Sequence, residues 1–183
     1  MNWEALSAIS TALTAVVIFF TAIYAARQVR AVNEQAKATA QQIEHLRKST
    51  QLEGMHEIFN QLFAPEFTDA IKFILTELPE KMQDETYRRE TLSRGASRSP
   101  NHKEFIIFRT FESIGTCVKF GMIDGEPLYD FAGPTIIESW RALEGLVAEQ
   151  RRGFDIPALW ENFEHLYHGA SARRSRRDEA IQT

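Results

Sequence analysis

Cysteine, glycine and proline are scarce in this sequence. The single cysteine, Cys117, excludes an intramolecular disulfide and a zinc site built on several thiolates. Only 9 glycines and 6 prolines interrupt 183 residues, and few segments alternate with the two-residue period of a strand. These absences predict an all-α protein. A phosphate-binding loop, a nucleophile elbow and a dinucleotide fingerprint are also missing, so we expect no cofactor.

A long segment near the start of the chain has no charged side chain. Between Ala5 and Ala26 there is no charged side chain over 22 residues. A helix of that length extends about 33 Å, which is enough to cross a hydrocarbon core of about 30 Å. Trp3 and Tyr24 stand at its two ends, where aromatic side chains prefer the lipid–water interface. The segment predicts a single transmembrane helix over residues 5–26, with the lipid bilayer as its partner.

The residues that flank this segment predict its orientation. Arg27 and Arg30 follow it, whereas Glu4 is the only charge before it. Positive charge stays on the cytoplasmic side, so the N-terminus is expected outside and the rest of the chain inside the inner membrane. The acidic start also argues against a cleaved signal peptide, which normally opens with positive charge.

Small residues recur every four positions within the predicted span, at Ser7, Thr11 and Ala15. Such a stripe lets two spans approach closely and would support a homodimer. Small residues are also common in spans that do not associate, and the sequence leaves both interpretations open.

The remaining charge is unevenly distributed. Residues 27–48 carry five basic and two acidic side chains, whereas residues 51–169 carry 12 basic and 20 acidic ones. A nucleic-acid-binding protein concentrates positive charge on its folded domain, so this pattern argues against a nucleic-acid partner. Residues 170–183 contain four arginines among polar residues and are predicted to be a disordered basic tail. The tail either binds anionic lipid or nucleic acid or is only a soluble terminus.

Residues 27–50 have the composition of a helical stalk. They contain no proline or glycine, and apolar or small side chains recur at steps of three and four residues, namely at Val29, Val32, Ala36, Thr39, Ile43 and Leu46. This spacing fits a parallel coiled coil with a second copy of the chain. It fits equally a solvated helical spacer, because alanine and threonine fill part of the seam.

Five amphipathic helical patterns follow between residues 51 and 169, as in a cytoplasmic helical bundle. The first ends before Pro65, the second at Pro79, and the third at Gly121. Pro134 is expected to start the fourth helix and Asp155 to cap the fifth. Residues 80–101 lack an apolar period and are predicted to form a flexible loop.

Several short motifs in the second half of the chain resemble a known family. They are Phe111-Glu112-x-Ile114-Gly115, Val118-Lys119-x-Gly121-x-Ile123-Asp124, Leu128-Tyr129-Asp130, Ser139-Trp140 and Arg151. The chain resembles, over roughly residues 1–168, the bacterial membrane-anchored family defined as domain of unknown function 4760. The resemblance implies one short span before a helical cytoplasmic domain, and it implies no activity, substrate or catalytic residue.

One helical face presents side chains that suit a metal ion. Glu161, His165 and His168 are spaced by four and three residues, so a carboxylate and two imidazoles could share that face. The alternative is a solvated face near a helix C-terminus, where histidine also suits the helix dipole. The second interpretation is favoured, because no further ligand cluster accompanies these residues.

Glu112 borders the apolar face of the third predicted helix. Its expected role is a structural ion pair with Arg109 or Arg141, and the alternative is an acid–base group with a displaced pKa. Gly115, one turn later, is expected to let Trp140 or a neighbouring helix approach its backbone.

The sequence contains a predicted anchor and a predicted core without a convergent catalytic set. We therefore expect a membrane-anchored interaction or scaffold module that binds an unknown cytoplasmic protein. A self-associating membrane effector, for example of a defence system, is the first alternative. An enzyme that uses Glu112 or the metal-like face is the second.

Overall fold

The computed structural model describes residues 3–93 and 95–182, and this part of the chain is all-α without a strand. The α-helices are α1 (Trp3–Phe63), α2 (Pro65–Thr76), α3 (Leu78–Lys81), α4 (Glu85–Thr91), α5 (Glu104–Lys119), α6 (Gly125–Phe154) and α7 (Glu161–Gln182). A short 3-10 helix covers Ala96–Arg98. The chain divides into two compact units, Met1–Thr50 and Gln51–Thr183. The all-α class predicted from the scarcity of glycine and proline is confirmed.

The first unit consists of α1 as far as Thr50, described from Trp3 onward. No glycine precedes Gly54 and no proline precedes Pro65, so nothing in the sequence interrupts the helix. The hydroxyls of Thr11, Thr14 and Thr21 donate to carbonyls four residues earlier, at 2.8–2.9 Å. These polar groups are therefore satisfied within the helix itself.

The core of the second unit lies where α5, α6 and α7 pack together. Its centre is aromatic: Phe111 stacks on Phe163 with ring centroids 4.8 Å apart, and Trp140 meets the edge of Phe163 at 5.1 Å. Aromatic rings bury large areas and gain further from such offset geometries. Ile107, Phe108, Ile136, Leu143 and Leu166, which lie on the apolar faces of the third, fourth and fifth predicted patterns, are buried in this core.

The expected start of the fourth helix at Pro134 is wrong. Helix α6 begins at Gly125, runs through Pro134 and ends at Phe154. Asp124 is its N-cap, because the Asp124 carboxylate accepts a hydrogen bond from the Glu126 amide at 3.0 Å. Pro127 lies in the first turn, where a helix needs no amide donor. The fourth helix therefore starts at Asp124-Gly125, nine residues before Pro134.

The expected cap at Asp155 is also wrong. Asp155 ends α6 instead of starting α7, with a left-handed backbone of φ 55° and ψ 42°. Aspartate is one of the few residues other than glycine that adopts this conformation readily. Helix α6 continues past Gly153 to Phe154, and the next helix starts at Glu161.

The flexible loop expected at residues 80–101 contains regular structure. Asp84 caps α4 by accepting a hydrogen bond from the Thr86 amide at 2.8 Å. Thr91, Ala96 and His102 are buried within the second unit. The prediction failed because these are isolated small or polar side chains, which leave no apolar period for a sequence pattern to show.

The tail expected to be disordered from residue 170 is helical as far as Gln182, the last described residue. Arg173 donates two hydrogen bonds to Asp130 on α6, at 3.0 and 2.9 Å, and pairs with Glu126 at 2.8 Å. Arg176 also reaches Glu126, at 3.1 Å. Two of the four tail arginines therefore bind carboxylates that α6 presents one turn apart.

Candidate functional sites: an exposed apolar helix and a buried polar network

The apolar part of α1 has no protein cover. Its most apolar 18-residue window has a mean hydropathy of 2.0, and 0% of that window is buried. Phe19, Phe20 and Val17 are among the large apolar side chains exposed along it. Water-exposed apolar surface on this scale is rare on soluble proteins. The helix is long and apolar enough to cross a membrane.

The predicted packing stripe lies on this exposed helix. Ser7, Thr11 and Ala15 are all exposed, and the Thr11 hydroxyl donates to the Ser7 carbonyl at 2.9 Å. The Thr11 hydroxyl is therefore satisfied within the helix itself. Association through it stays a prediction.

A polar network is buried in the second unit. Glu104, at the start of α5, is 0% exposed, and His102 is 3% exposed. One Glu104 oxygen accepts from the Tyr87 hydroxyl at 2.9 Å, and the other lies 2.8 Å from Nδ1 of His102. An enclosed carboxylate is stable only with such donors, because burial otherwise removes its hydration without replacement.

Three further side chains extend the network toward α6 and the start of α7. The Thr91 hydroxyl donates to the Tyr87 carbonyl at 2.9 Å, and Gln150 Nε2 donates to the Thr91 carbonyl at 3.4 Å. The indole N–H of Trp160 donates to Gln150 Oε1 at 2.8 Å. The network therefore joins the segment that was expected to be a loop to the three core helices.

The chemistry of the network follows from its enclosure. Burial raises the pKa of Tyr87, and the Glu104 carboxylate raises it further, so the hydroxyl remains a donor near neutral pH. Nδ1 of His102 faces Glu104, and Nε2 lies 3.7 Å from the exposed carboxylate of Glu90. His102 and Glu104 are both buried in this structure. Their contacts orient the neighbouring side chains and join helices of the second unit.

Sequence reasoning missed this network entirely. Tyr87 and Thr91 are one helical turn apart, and His102 precedes the first turn of α5. The only signal available was the Asp84-x-Thr86 cap, which marks the start of a helix with Tyr87 in its first turn.

Glu112 has partners other than the arginines expected for it. Its two oxygens accept from the Asn162 side-chain amide at 2.8 Å and from the Phe163 backbone amide at 3.0 Å. No ion pair joins it to Arg109 or Arg141 among the residues that the structure describes, so that prediction is wrong. The unpaired amides and the dipole at the start of α7 provide the partner for this carboxylate.

Gly115 lies against the same end of α7. A Cβ added there would lie 2.5 Å from the backbone carbon of Asn162 and would also overlap its carbonyl oxygen. Only a glycine permits this approach. Trp140, the other expected neighbour, packs instead on Phe163 and Tyr167, with ring centroids at 5.1 and 5.8 Å.

The metal-like face does not assemble into a ligand set. The Glu161 carboxylate accepts from Lys119 at 2.8 Å, and this hydrogen bond lowers the pKa of Glu161. His168 lies 4.0 Å from Glu164, and His165 is exposed. In residues 3–93 and 95–182, no group of three or more histidine, cysteine or acidic side chains is placed to hold a metal ion.

These features define an all-α protein with one helix that could span a membrane and a separate helical unit. Residues 9–169 match the model of the domain of unknown function DUF4760. The chain belongs to this family, which confirms the resemblance carried by the motifs around Glu112 and Gly121. No curated protein and no solved structure matches the chain.

Proposed function

We propose that this protein is a membrane-anchored protein-interaction module of the bacterial inner membrane. The observation that carries the proposal is the exposed apolar helix, none of whose most apolar window is covered by protein. The basic residues Arg27 and Arg30, directly after this segment, favour an external N-terminus and a cytoplasmic second unit. The role of the anchor is to concentrate that unit at the membrane surface.

An exposed aromatic cluster on the second unit supports the interaction role. It consists of Phe59, Phe63 and Phe131, with ring centroids 4.8 Å apart for Phe59–Phe131 and 5.4 Å for Phe63–Phe131. Phe63 is 67% exposed and Phe131 is 50% exposed. Rigid aromatic side chains grouped on a surface are typical of interface hot spots.

The charge around this cluster indicates the chemistry of the partner. Glu57 and Glu66 are exposed and lie close to Phe59 and Phe63 in the chain. Residues 51–169 carry 20 acidic and 12 basic side chains. A cytoplasmic protein with apolar side chains inside a basic rim would match the aromatic cluster and its surroundings.

The test is co-purification from detergent-solubilised membranes with Phe131→Gln as the key variant. We expect a cytoplasmic protein that co-purifies with the wild-type chain to be reduced at least about tenfold with this variant, corresponding to about 1.4 kcal/mol of binding. Ile181→Gln is the control, since Ile181 is also an exposed apolar side chain but lies near the end of α7. Equal recovery with both variants would contradict the proposed interaction surface.

A further inference from the structure

The stalk carries an exposed apolar seam along its length. Val29, Val32, Ile43 and Leu46 are each 58–64% exposed in the structure. They recur with the alternating steps of three and four residues that place side chains on one stripe of a helix. Within the first unit, therefore, a continuous line of apolar side chains has no protein partner.

The charges of the stalk avoid this seam and almost all of its borders. In the heptad register set by Val29, the bordering positions are uncharged except at Arg47, and they hold Gln28, Asn33, Gln35, Ala40 and Gln42. The other charges lie on the opposite face, where Glu44 and Lys48 pair with each other at 2.8 Å. Two identical helices can therefore meet along the seam with little like-charge repulsion.

Part of the seam favours two strands. Valine and isoleucine occupy the first apolar position at Val29 and Ile43, and the second position holds Val32, Thr39 and Leu46. Ile43 and Leu46 provide the β-branched residue at the first position and the leucine at the second that favour two parallel strands. Ala36 and Thr39 add little buried area at the centre of the seam, so the pairing is weak without help.

We infer that residues 27–50 pair with the same residues of a second copy as a parallel two-stranded coiled coil. The inference rests on the proposed membrane anchoring, because two anchors inserted in the same direction hold the stalks parallel. Confinement to the membrane also raises their effective concentration, which compensates for the weak centre of the seam. The aromatic clusters of the two copies would then be presented together to cytoplasmic partners.

The test is disulfide cross-linking of single cysteines in isolated membranes, with Cys117→Ser as the background. Ala36→Cys, Ile43→Cys and Leu46→Cys probe the seam, and Glu34→Cys, Gln41→Cys and Lys48→Cys probe the opposite face. We expect at least about fivefold more cross-linked dimer at the seam positions, because a disulfide needs Cα atoms within about 7 Å. Equal cross-linking on both faces, or none on either, would overturn the inference.

A second pair of variants separates a specific seam from random collision. Ile43→Lys in the Ala36→Cys chain should reduce the dimer at least about fivefold, because it places two like charges opposite each other in the seam. Gln41→Lys, on the outer face, should leave it unchanged; an equal effect of both lysines would also overturn the inference. Chain found in the supernatant would refute the anchoring itself, whereas membrane-bound chain without the seam pattern would refute only the pairing.

Discussion

At the scale of single residues, polar side chains hold the elements of the second unit together. Glu104 accepts a hydrogen bond from Tyr87 on α4, and Glu112 accepts two from residues at the start of α7. The sequence predicted a structural partner for Glu112, but the expected partners, Arg109 and Arg141, are wrong. A sequence pattern does not show that a carboxylate on one helix caps the start of another, because only the fold brings the two helices together.

The Tyr87 hydroxyl is predicted to stabilise the second unit through Glu104. Tyr87→Phe removes a donor to a buried carboxylate, and hydrogen bonds to charged groups contribute about 1.5–3 kcal/mol. We expect the free energy of unfolding of the detergent-solubilised chain to fall by about this amount in denaturant titrations. Tyr167→Phe is the control and should cost under about 0.5 kcal/mol; equal losses would show that the buried bond has no special role.

Position 115 is predicted to tolerate only glycine without a loss of stability. Gly115→Ala places a methyl group against the Asn162 backbone, which must move and weaken the contact of Glu112 with α7. Overpacking of this kind costs about 1–3 kcal/mol, to be read from the same unfolding titrations.

The control for Gly115→Ala is Gly145→Ala in α6. A Cβ at Gly145 would meet nothing within 4 Å, so alanine should stabilise the helix by about 0.5–1 kcal/mol. Opposite signs for the two substitutions are expected. A stabilising Gly115→Ala would contradict the close approach of the two backbones.

At the scale of elements, the strongly periodic helices were predictable, but several of their ends were not. The third pattern matches α5, and Gly121 after it has a left-handed φ of 66°. Pro134 misled the prediction because proline both starts and interrupts helices, and the Asp124 cap decided between these roles. The sequence did not predict α4 or the helical tail, because ion pairs and single polar contacts stabilise them. Such contacts produce no periodic pattern of apolar residues.

The helical tail is predicted to depend on its ion pairs with α6. Arg173→Gln removes the contacts with Asp130 and Glu126, so backbone amides after residue 173 should exchange with deuterium at least about tenfold faster. Arg174→Gln is the matched control, since its partner Asp178 is 4.0 Å away on the same helix. Unchanged exchange in Arg173→Gln would contradict this account.

The same ion pair predicts how the tail responds to pH. The hydrogen bond from Arg173 lowers the pKa of Asp130 below its ordinary value of about 3.9. A lowered carboxyl pKa gives a contribution that is complete above the ordinary pKa and is lost as the pH falls through the lowered one. Slow exchange of the tail, corrected for the intrinsic rate, should therefore persist from pH 7 to about pH 5 and decline only below about pH 4.

At the scale of the whole molecule, a segment without charged side chains, residues 5–26 of α1, precedes a folded unit with its own core. This division was the most predictable feature, because it depends on composition over about 20 residues instead of on individual contacts. The aromatic cluster could not be recognised beforehand, since Phe59 and Phe131 are brought together only by the fold.

The most direct test of the account is extraction of the full chain from isolated cell membranes. If the exposed apolar helix lies in the bilayer, the chain will stay in the pellet after high-salt and alkaline carbonate washes and will be released by mild detergent. Salt and alkali remove proteins held by charge, but they do not extract a helix buried in hydrocarbon. A chain released by either wash, or present in the supernatant before washing, would contradict the central claim.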